Sequence, residues 1–408
     1  MENKILQMGD FYISDFVKSN INTITNKYSL DLILDEAIGA VKLKEIAPRD
    51  KMYGKYWYRS GTNEGMVRDL NSLVNDVVYK LPYTEYNNKI WLDIACNDGT
   101  LLSMVPDTFT KVGIDPADDS FYAESSKRAN YVVQDYFSKE AFYSTPYKDK
   151  KCDVITIIAM FYDIENPIPI VNDLYEILND DGLLVLQLSY TPLMIMQNAY
   201  DNICHEHIYY YSLTSIKNLF ESVGFKLVDA DVNAVNCGSI RVYFQKNTAS
   251  VESYANSHVR DIAKFKMQSY LEYEFYNCDI TDNKIWSDFK KRIDTETEKL
   301  VDFLKECKLN NKRVFGYGAS TKGNTILQYA NITPDLLECI VERQEHKFGL
   351  KTIGTDIPII SEEEMRKNPP DYLLIFPWTF INEFIRRESE YLNNGGKFIV
   401  PLPELKII

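Results

Sequence analysis

The chain has 408 residues, 45% of them hydrophobic, and a formal net charge of -14. That length is too great for one typical domain and implies two or three. The apolar share supports packed cores rather than disorder, and the acidic balance argues against nucleic acid or an anionic membrane as partner. A phosphorylated small molecule stays possible, because one local pocket decides that.

The seven cysteines are scattered, odd in number and form no CxxC pair. They read as reduced thiols, outside any disulfide framework or cysteine-rich zinc site. No apolar run reaches the length of a membrane span. The opening MENKILQMGDFY lacks a positive-then-apolar signal pattern, so the chain is expected to be cytoplasmic.

Residues 1–85 are mixed. They hold one short apolar strand candidate, then the aromatic, basic stretch Lys51 to Gly61, then a helical pattern through Met66, Leu70, Leu73 and Val77. From 86 to 250 short apolar runs alternate with helical stretches. The runs are Ile90–Ile94, Lys111–Asp115, Asp153–Ile158 and Leu183–Leu188, with Gly238–Phe244 as a further strand. Strands apolar on both faces suit a buried parallel sheet, and their alternation with helices predicts a doubly wound α/β fold. Residues 251–310 read as charged connecting helices. A second α/β unit, 311–408, starts at Arg313–Gly318 and has strand candidates at Leu337–Val341, Tyr372–Phe376 and Lys397–Val400.

In the first unit a strand ends in Asp93-Ile94-Ala95-Cys96-Asn97-Asp98-Gly99-Thr100 and a helix follows. Small residues there let a ligand lie against the backbone. Asp115, ending the next strand, can accept both hydroxyl protons of a ribose. The turn lacks G-x-G-x-x-G spacing, which favours S-adenosylmethionine over a dinucleotide. Asp93, Ala95, Asn97, Gly99 and Asp115 are therefore the candidate cofactor residues. Asp135 after the third strand, and Met160 and Tyr162 after the fourth, join them. A tight turn without a ligand is the plain alternative.

Two of the four histidines stand in Cys204-His205-Glu206-His207. Histidine suits proton transfer near neutral pH, and Glu206 can orient a neighbour. Proton transfer ranks ahead of a surface loop with incidental histidines, and that ahead of a metal pair, since no further ligand stands at a known spacing.

The segment Ser189 to Leu213, with Asn236–Tyr243, Asp93–Thr100 and Gly316-Tyr317-Gly318-Ala319-Ser320-Thr321-Lys322-Gly323-Asn324, resembles the S-adenosylmethionine-dependent sugar C-methyltransferase family. The resemblance covers almost the whole chain in the family's order. It implies a small N-terminal domain, a central class I (Rossmann-like) methyltransferase domain, and a C-terminal Rossmann-like α/β domain that helps hold a nucleotide sugar. It also implies methylation of the carbon beside the ketone of a nucleoside-diphosphate-linked 4-keto-deoxysugar. His207 is then the general base with Glu206 beside it, and a tyrosine of the Tyr-x-Tyr-x-Ser segment, Tyr56 or Tyr58, lies near the reacting groups.

Two departures stand out. The family's N-terminal CxxC pairs are missing, Asp35 and Ile38 standing where one pair belongs, so no zinc and no other metal is expected. Cys204 stands where some members have a tyrosine.

On this reading His207 takes the proton, the enolate attacks the sulfonium methyl, and Tyr58 and His205 are candidate oxyanion donors. Asn202, Gly316, Gly318, Ser320 and Lys322, with Tyr56, are the candidate substrate residues, the glycine turn offering N–H groups to a diphosphate. The expected partner is a small molecule, and the chain a monomer or homodimer. The competing readings are O- or N-methyl transfer, a non-sugar carbon acid, and a non-catalytic protein of the same fold.

Overall fold

The computed structural model describes residues 4–18, 26–48, 51–52, 58–81, 87–250 and 254–408. At its centre is a seven-stranded sheet: β1 (Ile90–Ile94), β2 (Thr110–Ile114), β3 (Tyr131–Val133), β4 (Cys152–Ile158), β5 (Leu178–Ser189), β6 (Phe225–Asn233) and β7 (Ser239–Lys246), in the order β6-β7-β5-β4-β1-β2-β3. Strands β1 to β5 run parallel, and β7 is antiparallel to both β5 and β6. Successive residues of β1 feed opposite cores. Ile90, Leu92 and Ile94 pack on one face with Val112, Ile155 and Ile157, whereas Trp91 packs on the other with Val154 and Val185. Both faces are covered, so the strand needs no polar alternation. Helix α1 (Glu64–Lys80), capped by the Asn63 side chain, covers the Trp91 face with Leu70, Leu73, Val74 and Val77. Helices α2 (Thr100–Met104) and α3 (Asp119–Ser125) follow β1 and β2. The chain leaves β1 toward β2 on one side and reaches β4 on the other. This reversal opens a crevice at the carboxyl ends of β1 and β4.

The N-terminal part contains far more strand than the one expected segment. Lys4–Leu6, Leu32–Asp35, Ala40–Leu43 and Tyr209–Tyr210 form one antiparallel sheet in that order. Its last strand comes from beyond residue 200, so a cut at 85 divides the sequence but not the sheet. Phe16–Lys18 pairs with Leu350–Thr352 of the C-terminal unit. Runs of three or four residues carry too little periodicity to be read locally.

Helices α4 (Ser257–Asn277) and α5 (Asn283–Leu309) connect to the second α/β unit. Its strands are β8 (Val314–Tyr317), β9 (Ile340–Glu342), β10 (Ile359–Ser361), β11 (Tyr372–Ile375), β12 (Lys397–Val400) and β13 (Lys406–Ile407), ordered β10-β9-β8-β11-β12-β13, with α6 (Thr321–Tyr329) after β8. The strand expected from Leu337 starts only at Ile340. The N–H groups of Leu336 and Leu337 bond to the Thr333 carbonyl in a turn, so the apolar Leu337 fills the core without extending the strand.

Candidate active site

The turn after β1 is held in an unusual backbone shape. Ala95, Asn97 and Gly99 all have left-handed φ, at 57°, 53° and 77°. A Cβ on Gly99 would stand 2.8 Å from Ser125 Cα, so glycine lets α2 start hard against α3. Asp115 braces the turn: one carboxylate oxygen accepts the Asn97 N–H at 2.7 Å and the other the Ala117 N–H at 2.8 Å. Each oxygen keeps a lone pair for a ribose hydroxyl. Burial raises its pKa, and the two backbone donors oppose that rise.

Asp93, buried at the end of β1, accepts the Thr156 hydroxyl at 2.6 Å, and Thr156 accepts the Trp91 indole N–H at 3.1 Å. Burial pushes Asp93 up to about 7. Met160 and Tyr162 follow β4, next to the left-handed Ala159. Asp135 is exposed beyond β3 and accepts its own neighbour's N–H, from Tyr136, at 2.7 Å. All eight expected cofactor residues thus stand at or beyond the carboxyl ends of β1 to β4, with Asp135 outermost. The donor set fits an adenosyl group with an amino-acid tail. The Asn97 amide is spent on protein, however: its Nδ2 donates to the Tyr58 carbonyl at 3.0 Å, and its Oδ1 accepts the Ser60 N–H at 3.1 Å.

His207 has a defined tautomer. Its Nδ1 lies 2.9 Å from the Asn202 carbonyl, which can only accept, so Nδ1 carries the proton and Nε2 is left as the acceptor. Burial, with the Lys322 charge adding to it, pushes the imidazole down to about 4. The Tyr162 ring meets the imidazole edge-on at 4.4 Å. The histidine lines a small cavity with Tyr162, Thr191, Asn202, Tyr209 and Tyr210. Asn202 Oδ1 and the Tyr210 hydroxyl are buried with no protein hydrogen-bond partner. A polar occupant of this cavity would satisfy them.

The other members of the motif face elsewhere. His205 is buried with Nε2 3.1 Å from the Tyr28 carbonyl. That N–H is committed to the Lys27–Ser29 strand, which pairs with Asp10–Tyr12, and this removes His205 from the oxyanion donors. Glu206, pushed up to about 7 by burial, lines a second small cavity with Tyr12, Ser14, Thr321, Asn324 and Thr325. Cys204 is buried and its thiol raised by burial. Tyr58 stands 41% exposed beside the cofactor turn, and Tyr56 lies outside the described residues.

The glycine turn of the second unit is already filled. The Gly318 N–H bonds to the Val341 carbonyl, the Ala319 N–H to the Glu342 carboxylate at 3.0 Å, and the Gly323 N–H to Ser320 Oγ. A Cβ on Gly316 would stand 2.6 Å from the Phe376 ring, and one on Gly318 2.6 Å from Pro377. These glycines admit packed side chains, and a carboxylate sits where the diphosphate was expected. The Lys322 ammonium lies 3.3 Å from Cys237 Sγ and 3.5 Å from the Asn236 carbonyl. It faces the central unit, not a cradle on the C-terminal one.

At the hairpin where the family places cysteines, Asp35 accepts from Lys42 at 2.8 Å and from the Tyr209 hydroxyl at 2.9 Å, while Ile38 is buried in the core. These residues do not fit a zinc knuckle. Among the described residues no group of three or more His, Cys, Asp or Glu is arranged to hold a metal ion.

Several residues escaped the sequence reading. Thr156 tunes Asp93. Asp163 is buried with an unpaired Oδ1 and a raised pKa, from burial and then the Glu206 charge. Asp201, buried, accepts the Trp378 indole N–H at 3.0 Å across to the second unit. Asp201 and Asp163 carried a signal, standing directly before Asn202 and directly after Tyr162.

Comparison with known proteins gives the same picture. Residues 66–230 match the family described as "Methyltransferase domain", and residues 234–403 that described as "C-methyltransferase C-terminal domain". The chain is 25% identical over 382 residues to the C-methyltransferase NovU of Streptomyces niveus, covering 93% of this chain and 88% of that one. Among solved structures, the N-methyltransferase NodS from Bradyrhizobium japonicum WM9 overlays 44% of this chain and 95% of its own, with 13% identity and a TM-score of 0.33. Magnesium protoporphyrin IX methyltransferase from Synechocystis PCC 6803 overlays 48% and 89%, with 11% identity and a TM-score of 0.35.

The protein is a methyltransferase. It carries a methyltransferase domain joined to a C-methyltransferase C-terminal domain, and it is similar along nearly its full length to a C-methyltransferase.

Proposed function

We propose that the enzyme methylates the carbon next to the ketone of a nucleoside-diphosphate-linked 4-keto-deoxysugar. The observation that carries this reading is the neutral His207, anchored through Nδ1 with Nε2 left to accept, in a cavity lined by unpaired polar groups. O- or N-methylation needs no carbon base. Carbon methylation does, since a C–H bond gives up its proton only where an adjacent carbonyl can hold the charge.

In this mechanism His207 Nε2 removes the proton from the carbon beside the ketone. Its depressed pKa keeps it a free base at neutral pH, and the rising charge on the ketone oxygen drives the transfer. Lys322, whose charge reaches His207, supplies positive charge to the same region. Asn202 and Tyr210 turn their unpaired groups to the sugar. S-adenosylmethionine supplies the electrophilic methyl group. Asp93, Asp115 and the left-handed turn hold that donor in place, and fixed alignment of the reacting atoms contributes on the order of 7 kcal/mol in good cases.

The test is incubation with S-adenosylmethionine and a panel of nucleotide-linked 4-keto sugars in heavy water, read by mass spectrometry. The expected product gains one CH₂, about 14 mass units, and the neighbouring C–H exchanges with solvent. Methylation at oxygen or nitrogen without exchange would overturn the reading.

A further inference from the structure

Residues Tyr58 to Thr62 cross from the N-terminal part onto the cofactor crevice and bond to the segments that follow β1 and β2. On the β1 side, the Tyr58 carbonyl and the Ser60 N–H clasp the Asn97 amide, and the Gly61 N–H donates to Asp98 Oδ2 at 2.9 Å. On the β2 side, Arg59 donates to Glu124 at 2.8 Å and to Ser120 Oγ at 2.7 Å, with its guanidinium 4.0 Å from the centroid of the Phe121 ring. Glu124, Ser120 and Phe121 belong to α3, the helix that follows Asp115.

We infer that Arg59, Gly61 and Asn97 are positioning residues that latch this strap over the crevice, so that the N-terminal segment forms a third wall of the cofactor site and cofactor binding sets the place of Tyr58.

Three observations carry this. The strap spans the segments after β1 and β2 that meet at Asp115, and Asn97 belongs to both systems: its backbone N–H bonds to Asp115 while its side chain holds the strap. Gly61 is exposed and its φ is not left-handed, so its backbone does not require glycine. A Cβ there would nevertheless stand 2.8 Å from Asp98 Oδ2 and 2.9 Å from Thr100 Oγ1, so closeness to the turn requires it. The receiving side is itself fixed, since Arg128 donates to the Asp98 carbonyl at 2.8 Å and to Thr100 Oγ1 at 3.0 Å. The turn therefore cannot easily retreat, and an added methyl group would lift the strap.

The inference rests on cofactor binding alone. A chain that binds S-adenosylhomocysteine but methylates no sugar leaves it intact.

The test is calorimetric titration of the full chain with S-adenosylhomocysteine. Arg59→Ala and Glu124→Gln are each expected to weaken binding about 3- to 10-fold, the effect of a part-exposed ion pair and a cation–π contact. The double variant is expected to lose no more than Arg59→Ala, and Arg59→Lys to fall between wild type and Ala. Gly61→Ala is expected to weaken binding at least as much, with the unliganded melting temperature unchanged. In wild type the ligand is expected to slow tryptic cleavage after Arg59, and in Gly61→Ala to leave it unslowed. Unchanged affinity in Gly61→Ala and Arg59→Ala would overturn the inference. So would losses that merely track a fall in melting temperature, or an absence of binding by the wild type.

Discussion

His207 Nδ1 lies 2.9 Å from the carbonyl oxygen of Asn202, and this one contact makes Nε2 the basic nitrogen. If Nε2 is the base, removing the ring abolishes proton abstraction but not cofactor binding. His207→Ala is expected to lose about 100- to 10,000-fold in turnover, with S-adenosylhomocysteine affinity within twofold of wild type. Exchange of the substrate C–H into heavy water without cofactor turnover should vanish in parallel. Persistent exchange in the variant would move the base to another residue.

His207 and Glu206 give opposite pH dependences to stability. The folded His207 titrates near 4, below its ordinary value, so its penalty grows as pH falls from about 6.5 toward 4. The folded Glu206 titrates near 7, above its ordinary value, so its contribution is full below about 4.5 and is lost as pH rises through 7. Across roughly pH 4.5 to 6.5 the two nearly cancel. Glu206→Gln removes one of them. Denaturant midpoints of the variant are therefore expected to climb more steeply than wild type between pH 4.5 and 6.5. Parallel curves would show that Glu206 ionises normally.

Lys322 lowers the His207 pKa through its charge. In Lys322→Met the acid limb of kcat/KM is expected to move to higher pH, in addition to any loss of rate from the missing charge. A lower rate with an unmoved limb would separate Lys322 from the base.

The Asp35 network leads to a prediction about metal. Asp35 is held low by its bonds to Lys42 and Tyr209, which outweigh its burial, and Tyr209 lines the His207 cavity. Asp35→Ala leaves a buried tyrosine hydroxyl without its acceptor and should cost about 1–3 kcal/mol. Dialysis against a chelator is expected to change neither the melting temperature nor the activity of the wild type. Loss of either, restored by zinc, would show a metal bound elsewhere in the chain.

What could be read from the sequence follows from how far its signals reach. Ile90–Ile94 is one apolar run buried on both faces, so strand β1 and the Asp93 turn were visible locally. The Tyr209–Tyr210 strand was not, because its partners, Val41 and Lys42, stand more than 160 residues away and it is two residues long. Gly316 and Gly318 were legible as a turn but misleading as a cradle, since the Glu342 carboxylate that fills it comes from the next strand. Asn97 was legible as a cofactor-turn residue, but the work of its side chain was not, because the strap it holds lies 39 residues earlier.

Thr156 offers the sharpest separation of packing from electrostatics. It is fully buried on β4, accepts from Trp91 and donates to Asp93. Valine has nearly the same shape, so Thr156→Val removes the hydroxyl without opening a cavity. The Trp91 N–H then lacks an acceptor and Asp93 a donor, each costing about 1–3 kcal/mol, and the melting temperature should fall. Asp93 titrates near 7 because burial outweighs the Thr156 bond that opposes it. Without that bond its pKa rises further, and at pH 7 more of it is protonated and unable to pair with the ligand's ammonium group. S-adenosylhomocysteine binding by Thr156→Val is therefore expected to be weak at pH 7 and to recover toward pH 9, while Thr156→Ser, which keeps the hydroxyl, binds as wild type at both. Weak binding at all pH values would mean that Thr156 shapes the crevice without acting on Asp93.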